Sequence, residues 1–302
     1  MTGPILIFGK KGQVATALAR TDWGGHQELH FLGRGDLDLR TAGAEGIARR
    51  INQIGPSLVI NAAAYTAVDQ AESEPAAAYA LNAVAPGLIA QSCAAAAIPL
   101  IHISTDYVFD GTSAAPYAET DPICPVSVYG ASKEAGERAV RAATPRHVIV
   151  RTAWVFSPSG RNFVKTMLRL GAARHELRIV DDQIGSPTSA ADIAAALAQI
   201  AQRLRARPAP APACGTYHFC AAGHTSWHGF AAAIFDAAHK RGFQAAPRLL
   251  PIPTSAYPTP ARRPLNSRLA CAKLSAAFGV TPRPWRAGLH ACLDALLGPV
   301  RA

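Results

Sequence analysis

Short, almost continuously apolar runs recur along the first half of the chain, each followed by a stretch with helical spacing. Pro4 to Phe8 is the first run, ending in glycines, and Gln13 to Arg20 carries the first helical spacing. Leu29 to Leu32 reads as a second strand, and Ala42 to Ile54 as a helix closed by Gly55-Pro56. Ser57 to Asn61, Pro99 to Ser104 and His147 to Arg151 are further strands, with a helix expected through Ala76 to Ala97. Runs that do not alternate with polar residues fit parallel strands buried on both faces. Repeated β-α units of this length predict an α/β fold built on a doubly wound parallel sheet with right-handed crossovers.

After Arg151 the pattern loosens. Arg207 to Pro212 reads as a Pro/Ala linker or surface loop, and Gly215 to Phe219 as one more strand with a helix from Trp227 to Arg241 behind it. Pro251 to Pro264 holds too many prolines for a core helix, and Pro284 to Leu297 closes the chain as a helix. The expected organisation is a nucleotide-binding domain over 1–155, to which the chain returns around 179–200 and 214–240. Residues 156–178 and 241–302 then form a smaller C-terminal substrate lobe.

Composition narrows the class. The 302 residues are 49% apolar and 17% charged, which excludes global disorder and leaves ample material for a core. Thirty Lys and Arg against 20 Asp and Glu give a net +10, which favours an anionic partner. The arginines are dispersed and not interleaved with aromatics, so nucleic acid is not expected. The tract from Ala76 to Ile98 is broken by Asn82, Pro86, Gln91 and Ser92, so no membrane span is expected, and the start does not read as a signal peptide. Six cysteines without a CxxC pair read as buried free thiols of a cytoplasmic protein. His102, His218, His224 and His228 show no metal-ligand spacing, and no metal site is expected.

Gly9-Lys10-Lys11-Gly12-Gln13-Val14-Ala15 follows the first strand directly. Glycines there permit a tight turn and a close approach of a pyrophosphate to backbone N–H groups, although an ordinary strand-to-helix turn has the same composition. The second strand ends Leu32-Gly33-Arg34-Gly35 with no acid before Asp36 and Asp38. Arg34, with Lys10 or Lys11 beside it, can pair a ribose 2′-phosphate, which favours NADPH and leaves NADH possible; a solvated loop arginine is the other reading. Ser104-Thr105-Asp106 ends the fourth strand, on the rim where doubly wound sheets hold ligands. Downstream, Tyr129 and Lys133 stand four residues apart, on one face if Tyr129 opens a helix. A neighbouring ammonium is expected to lower the phenol's pKa toward a useful range. With the glycine loop and the hydroxyl-bearing strand end, this pair points to hydride transfer.

Six segments go together: Gly9-x-x-Gly12-Gln13-Val14, Asn61 to Asp69, Ser104 to Gly111, Tyr129-Gly130-x-x-Lys133, Arg151-Thr152-x-Trp154-Val155 and Arg263-Pro264-x-Asn266-Ser267-x-Leu269. Together they resemble the dTDP-4-dehydrorhamnose reductase family, extended short-chain dehydrogenase/reductases of Rossmann type, over residue 5 to about 290. The resemblance implies NADPH-dependent reduction of the 4-keto group of dTDP-4-dehydro-β-L-rhamnose. It makes Tyr129 the general acid, Lys133 the residue holding the nicotinamide ribose, and Thr105 the carbonyl-binding hydroxyl in place of the usual serine. Gly12, Gln13 and Val14 would meet the pyrophosphate, Asp38 and Leu39 the adenine end, and Ala63, Ala64 and Tyr65 the cofactor beyond the third strand. Thr105, Asp106, Trp154 and Asn266 would contact the sugar nucleotide. Some members dimerise around magnesium held by helix carboxylates. Here Ala17 and Ala190-Ala191 stand where acids would be needed, which leaves monomer and homodimer both open. Another nucleotide-sugar 4-ketoreductase or epimerase, or a non-catalytic NADP-binding regulatory subunit, are the competing functions.

Overall fold

The computed structural model describes residues 3–25, 27–206 and 213–300; the expected Pro/Ala linker at 207–212 lies outside them. Six strands form one parallel sheet: β1 (Ile5–Phe8), β2 (Leu29–Leu32), β3 (Leu58–Asn61), β4 (Leu100–Thr105), β5 (His147–Thr152) and β6 (Gly215–His218). Their spatial order is β6-β5-β4-β3-β1-β2. The chain leaves β1 for one edge and then returns to β3 on β1's other side, so the order reverses between β1 and β3. A crevice opens at such a reversal, at the carboxyl ends of the strands.

Alternate residues of these strands face opposite ways, and both faces are covered. Ile5, Ile7, Leu58, Ile60, Ile101, Val148 and Val150 pack beneath α1 (Gln13–Leu18) and α5 (Ala190–Ala206). Leu6, Phe8, Val59, Leu100 and Ile149 meet α2 (Gly43–Ile54), α3 (Ala85–Ala95) and α4 (Val128–Ala143). Side chains of this size, fully withdrawn from water, each contribute about 1.5–3 kcal/mol, which is why the strands read so plainly in the sequence.

A second core joins α6 (Trp227–His239) and α7 (Trp285–Leu297) to the helix Phe163–Ala173 and to the parallel pair Glu176–Val180 and Arg248–Ile252. Ala190–Ala206 and Gly215–His218, within the segments expected to return, lie on the sheet, whereas Trp227–His239 packs in the second core together with Glu176–Val180. Ala272–Phe278, expected in the lobe, places Leu274 and Phe278 in the sheet's core. Ala190–Ala206 can cover the sheet because Ala-rich faces let a helix approach closely.

The single helix expected over Ala76 to Ala97 is interrupted. Pro75–Tyr79 is α-helical, Ala80–Val84 is a π-turn and α3 resumes at Ala85. Pro86 has no N–H to give the carbonyl four residues back, which loosens the ladder there. The wider turn directs Asn82 inward, fully buried.

Candidate active site

Two cavities meet along the carboxyl rim of the sheet. The first, about 710 Å³, is walled by Gly9 to Gly12, Leu32 to Arg40 and Ala62 to Ala64. The second, about 510 Å³, shares Lys11, Gly12 and Ala62 to Ala64 with it. Its remaining wall includes Gln13, Val14, Ile103 to Tyr107, Tyr129, Lys133, Thr152 and Trp154. One cleft therefore runs from the end of β2, over the glycine loop, to the end of β4.

The glycine loop fits a dinucleotide. Gly9 sits at φ +112°, and an added Cβ would stand 3.1 Å from the Ala62 carbonyl carbon. Only glycine tolerates both the torsion and the approach. Gly12 has nothing within 4 Å of where its Cβ would be, so its backbone faces open space that a phosphate can enter. Gln13 fixes the loop from behind: its Oε1 accepts from Ser157 Oγ at 2.9 Å and Asn162 Nδ2 at 3.0 Å. At the far end, Arg34, Asp38 and Leu39 line the first cavity. Lys10 is engaged by Asp36 at 3.3 Å, and Asp38 holds Arg40 through both oxygens, at 3.0 Å to Nε and 2.6 Å to Nη2. The Arg40 pairing and its backbone N–H draw the Asp38 carboxyl down to about 2.

Tyr129 and Lys133 stand on the first turns of α4 and both line the second cavity. The helix starts where it does because Ser127 Oγ accepts from Gly130 N at 3.2 Å and Glu72 accepts from Val128 N at 2.8 Å. Gly130 lets it lie against the β4 loop, since a Cβ there would be 2.1 Å from the Tyr107 carbonyl oxygen. Lys133 Nζ donates to the Ile103 carbonyl at 2.8 Å. Burial brings its ammonium down to about 8, against the pull of Glu137 one turn on. That glutamate is itself buried and gripped by Arg151 at 2.9 and 2.7 Å.

The expected lowering of the Tyr129 phenol is not what the structure produces. Burial pushes the phenol well up, the Thr105 hydrogen bond opposes this only in part, and the Asp106 charge adds to the rise. A raised value keeps the proton on oxygen at neutral pH, which is the form a proton donor needs. Thr105 Oγ1 donates to Asp106 Oδ1 at 3.0 Å and accepts from Tyr107 N at 3.3 Å. Burial carries the Asp106 carboxyl up to about 6 despite hydrogen bonds from Ser267 and Thr105. Tyr107 lays its ring edge-on to Tyr129 at 5.4 Å and receives Arg263 Nη1 on its hydroxyl at 3.1 Å.

Trp154 sits at the seam between the cleft and the lobe, at φ +49°, with its indole stacked on Trp227 at 3.5 Å. Trp227 in turn lines a lobe cavity of about 750 Å³ together with Arg174, Arg178, Tyr257 and Arg263. Asn266 is placed otherwise than expected. Its amide donates to the Ser113 and Ala115 carbonyls at 2.9 and 2.8 Å and accepts from Arg268, so it braces a loop and lines neither half of the cleft. Tyr65 also turns away, its hydroxyl donating to Glu74 at 2.8 Å.

Asn82 stands out in the sequence only as a break in an apolar tract, and its role at the site is visible in the structure alone. It accepts from Tyr65 N at 2.8 Å and donates to Tyr65 O at 3.1 Å and to Ser132 Oγ at 3.0 Å. Ser132 Oγ donates on to the Tyr129 carbonyl at 2.7 Å. One buried amide thus ties the loop after β3 to the helix of Tyr129 and Lys133. The available signal was an asparagine in an Ala-rich helix four residues before a proline.

The model of the family described as RmlD substrate binding domain matches residues 1–297. The chain belongs to this family. A dTDP-4-dehydrorhamnose reductase of Burkholderia thailandensis is 47% identical, over 97% of this chain and 99% of that protein. A solved dTDP-4-dehydrorhamnose reductase of Clostridium acetobutylicum superposes with a TM-score of 0.88 at 35% identity, covering 97% of this chain and 99% of its own. That of Bacillus anthracis, solved in complex with NADP, gives 0.86 at 34% identity with the same coverage. Among the described residues, no group of three or more His, Cys, Asp or Glu could hold a metal ion, and no helix is long and apolar enough to cross a membrane.

Proposed function

We propose that this chain reduces the C4 carbonyl of dTDP-4-dehydro-β-L-rhamnose with NADPH, giving dTDP-β-L-rhamnose, as a cytoplasmic monomer or homodimer. What carries this is one wall of the cleft, where the glycine loop, Thr105, Asp106, Tyr129, Lys133 and Trp154 stand together, in a chain 47% identical to a named dTDP-4-dehydrorhamnose reductase. Gly9, Lys11, Gly12, Gln13, Val14, Ala63 and Ala64 would hold the dinucleotide's centre, and Arg34, Asp38 and Leu39 its adenosine end. When bound, NADPH supplies the hydride that turns the ketone carbon into an alcohol carbon.

The chain's own part is proton delivery and placement. Tyr129 gives its phenolic proton to the C4 oxygen: burial keeps the phenol protonated at neutral pH, and the alkoxide left by hydride addition is basic enough to take that proton. Thr105 steers that oxygen, its own hydroxyl oriented by Asp106. Lys133, anchored on the Ile103 carbonyl, offers positive charge beside the new phenolate. Trp154 closes the sugar side, and the lobe cavity beyond it receives the nucleoside diphosphate, with Arg174 and Arg178 on its wall to meet the phosphates.

The test follows loss of NADPH absorbance with enzymatically prepared dTDP-4-dehydrorhamnose. The wild type should turn over, and Tyr129→Phe should lose about 10²–10⁴-fold in kcat while still binding NADPH. A wild type that binds NADPH without turnover would remove the enzyme reading. A fast Tyr129→Phe variant would remove the acid assignment alone.

A further inference from the structure

Cys220 and Cys271 are 51 positions apart in the chain, yet their Sγ atoms lie 3.6 Å from each other. Further contacts hold the two sulfurs together. The Cys220 N–H donates to Cys271 Sγ at 3.3 Å, Cys220 Sγ faces the Leu269 carbonyl at 3.5 Å, and Cys271 Sγ lies 3.7 Å from the Cys220 and Leu269 carbonyls. Cys220 is buried and Cys271 half-buried, so a small reagent reaches the pair from the Cys271 side.

Their position in the fold gives the contact its interest. Cys220 marks the point where the chain leaves the sheet for the lobe: Phe219 before it packs in the sheet core, and Ala221 after it packs in the lobe core. Cys271 marks the return. It follows the strap whose Leu269 bridges to Tyr117, and it precedes Ala272–Phe278, which re-enters the sheet core through Leu274 and Phe278. Cys220 and Leu269 share a small cluster with Val108 and Phe109, directly behind the Thr105-Asp106 strand end, and Cys271 packs against it.

We propose that Cys220 and Cys271 form a dithiol site that a small hydroperoxide oxidises to an internal disulfide, stapling the two crossings between sheet and lobe. One sulfur of the pair, as its thiolate, attacks an oxygen of hydrogen peroxide, breaking the O–O bond and giving a sulfenic acid and, with the displaced proton, one water. The other sulfur then attacks the sulfenic sulfur; the S–S bond forms, the S–O bond breaks, its thiol proton leaves with the hydroxyl and a second water departs. Two thiols are oxidised by two electrons and one peroxide is reduced to two waters. A bonded S–S distance is about 2.05 Å, so the sulfurs close by about 1.5 Å, within reach of side-chain rotation.

The full chain carrying Cys124→Ser, which removes the exposed thiol, is treated with hydrogen peroxide and then denatured for thiol titration. Five titratable thiols should fall to three, from the six cysteines of the chain less Cys124. A peptide joining Cys220 to Cys271 should appear, and dithiothreitol should restore all five. Adding Cys271→Ala, or Cys220→Ala instead, should abolish the internal link, and dithiothreitol should return all four remaining thiols. A titre that stays at five, a link between other cysteines, or an oxidised sulfur that dithiothreitol does not recover would overturn the proposal. None of these outcomes depends on the reductase activity.

Discussion

Asp106 is held in the wrong environment for a carboxylate, and that can be measured. Its side chain is buried at the end of β4, its Oδ2 lacks a hydrogen-bond partner, and burial raises its pKa from 3.8 to about 6. A group that binds its proton more tightly when folded costs stability once both states are ionised. Below about pH 3 the carboxyl is neutral in both states and nothing is lost. As pH rises through 4 to 6 the unfolded chain ionises first, and stability falls. At pH 8 the full cost is about 1.36 kcal/mol per unit over roughly two units, or about 3 kcal/mol; at pH 5 it is about half of that. Asp106→Asn keeps an oxygen for Thr105 but can carry no charge. Urea unfolding should find the variant more stable than wild type by about 1.5 kcal/mol at pH 5 and about 3 kcal/mol at pH 8, while kcat/KM at neutral pH drops. A stability difference that does not change between pH 5 and 8, or a variant weaker than wild type at pH 8, would refute the reasoning. The carboxylate would then be neither costly nor kept for its chemistry.

Three other substitutions test separate parts of the cleft. Arg34→Ala should raise the KM for NADPH about ten- to a hundredfold and leave that for NADH nearly unchanged, since only the 2′-phosphate loses a charge-assisted partner; steady-state kinetics with both cofactors reads the ratio. Gly9→Ala combines a φ of +112° with a 3.1 Å approach to Ala62; a loss of about 1–3 kcal/mol and weaker NADPH binding by calorimetry are expected. Asn82→Ala leaves the half-buried Tyr65 N–H without its partner, and should lower stability by about 1–3 kcal/mol while raising the KM for NADPH.

The strands and the glycine loop were legible because their causes are local. Ile5 to Phe8 must be apolar throughout to face two covered sides, and Gly9 must be glycine to pass Ala62. Tyr129 and Lys133 could be paired by helical spacing alone. The electrostatic sign at Tyr129 could not, because burial at the base of the cleft and the Asp106 charge outweigh the Thr105 hydrogen bond, and no spacing encodes burial. The motif carrying Asn266 gave no hint that its amide braces the loop at Ser113 and Ala115, since those partners lie 153 and 151 residues earlier in the chain. The stack of Trp154 on Trp227, and the mixed allegiance of residues 176–278, depend on chain segments far apart meeting in space. Local periodicity holds no record of such meetings.

The interleaving of sheet and lobe bears on how the protein is made. A ribosome that has released residues 1–155 has delivered five of the six strands, but only α1 of the covering for the face built from Ile5, Ile7, Ile60 and Val150. The rest arrives with Ala190–Ala206 and ends with Leu274 and Phe278, and β5 remains an open edge until Gly215–His218 docks on it. The nascent sheet therefore exposes much of an apolar face and an unpaired strand while residues 153–218 are being made. Such an intermediate invites chaperone capture, and the first half expressed alone should aggregate where the full chain stays in solution.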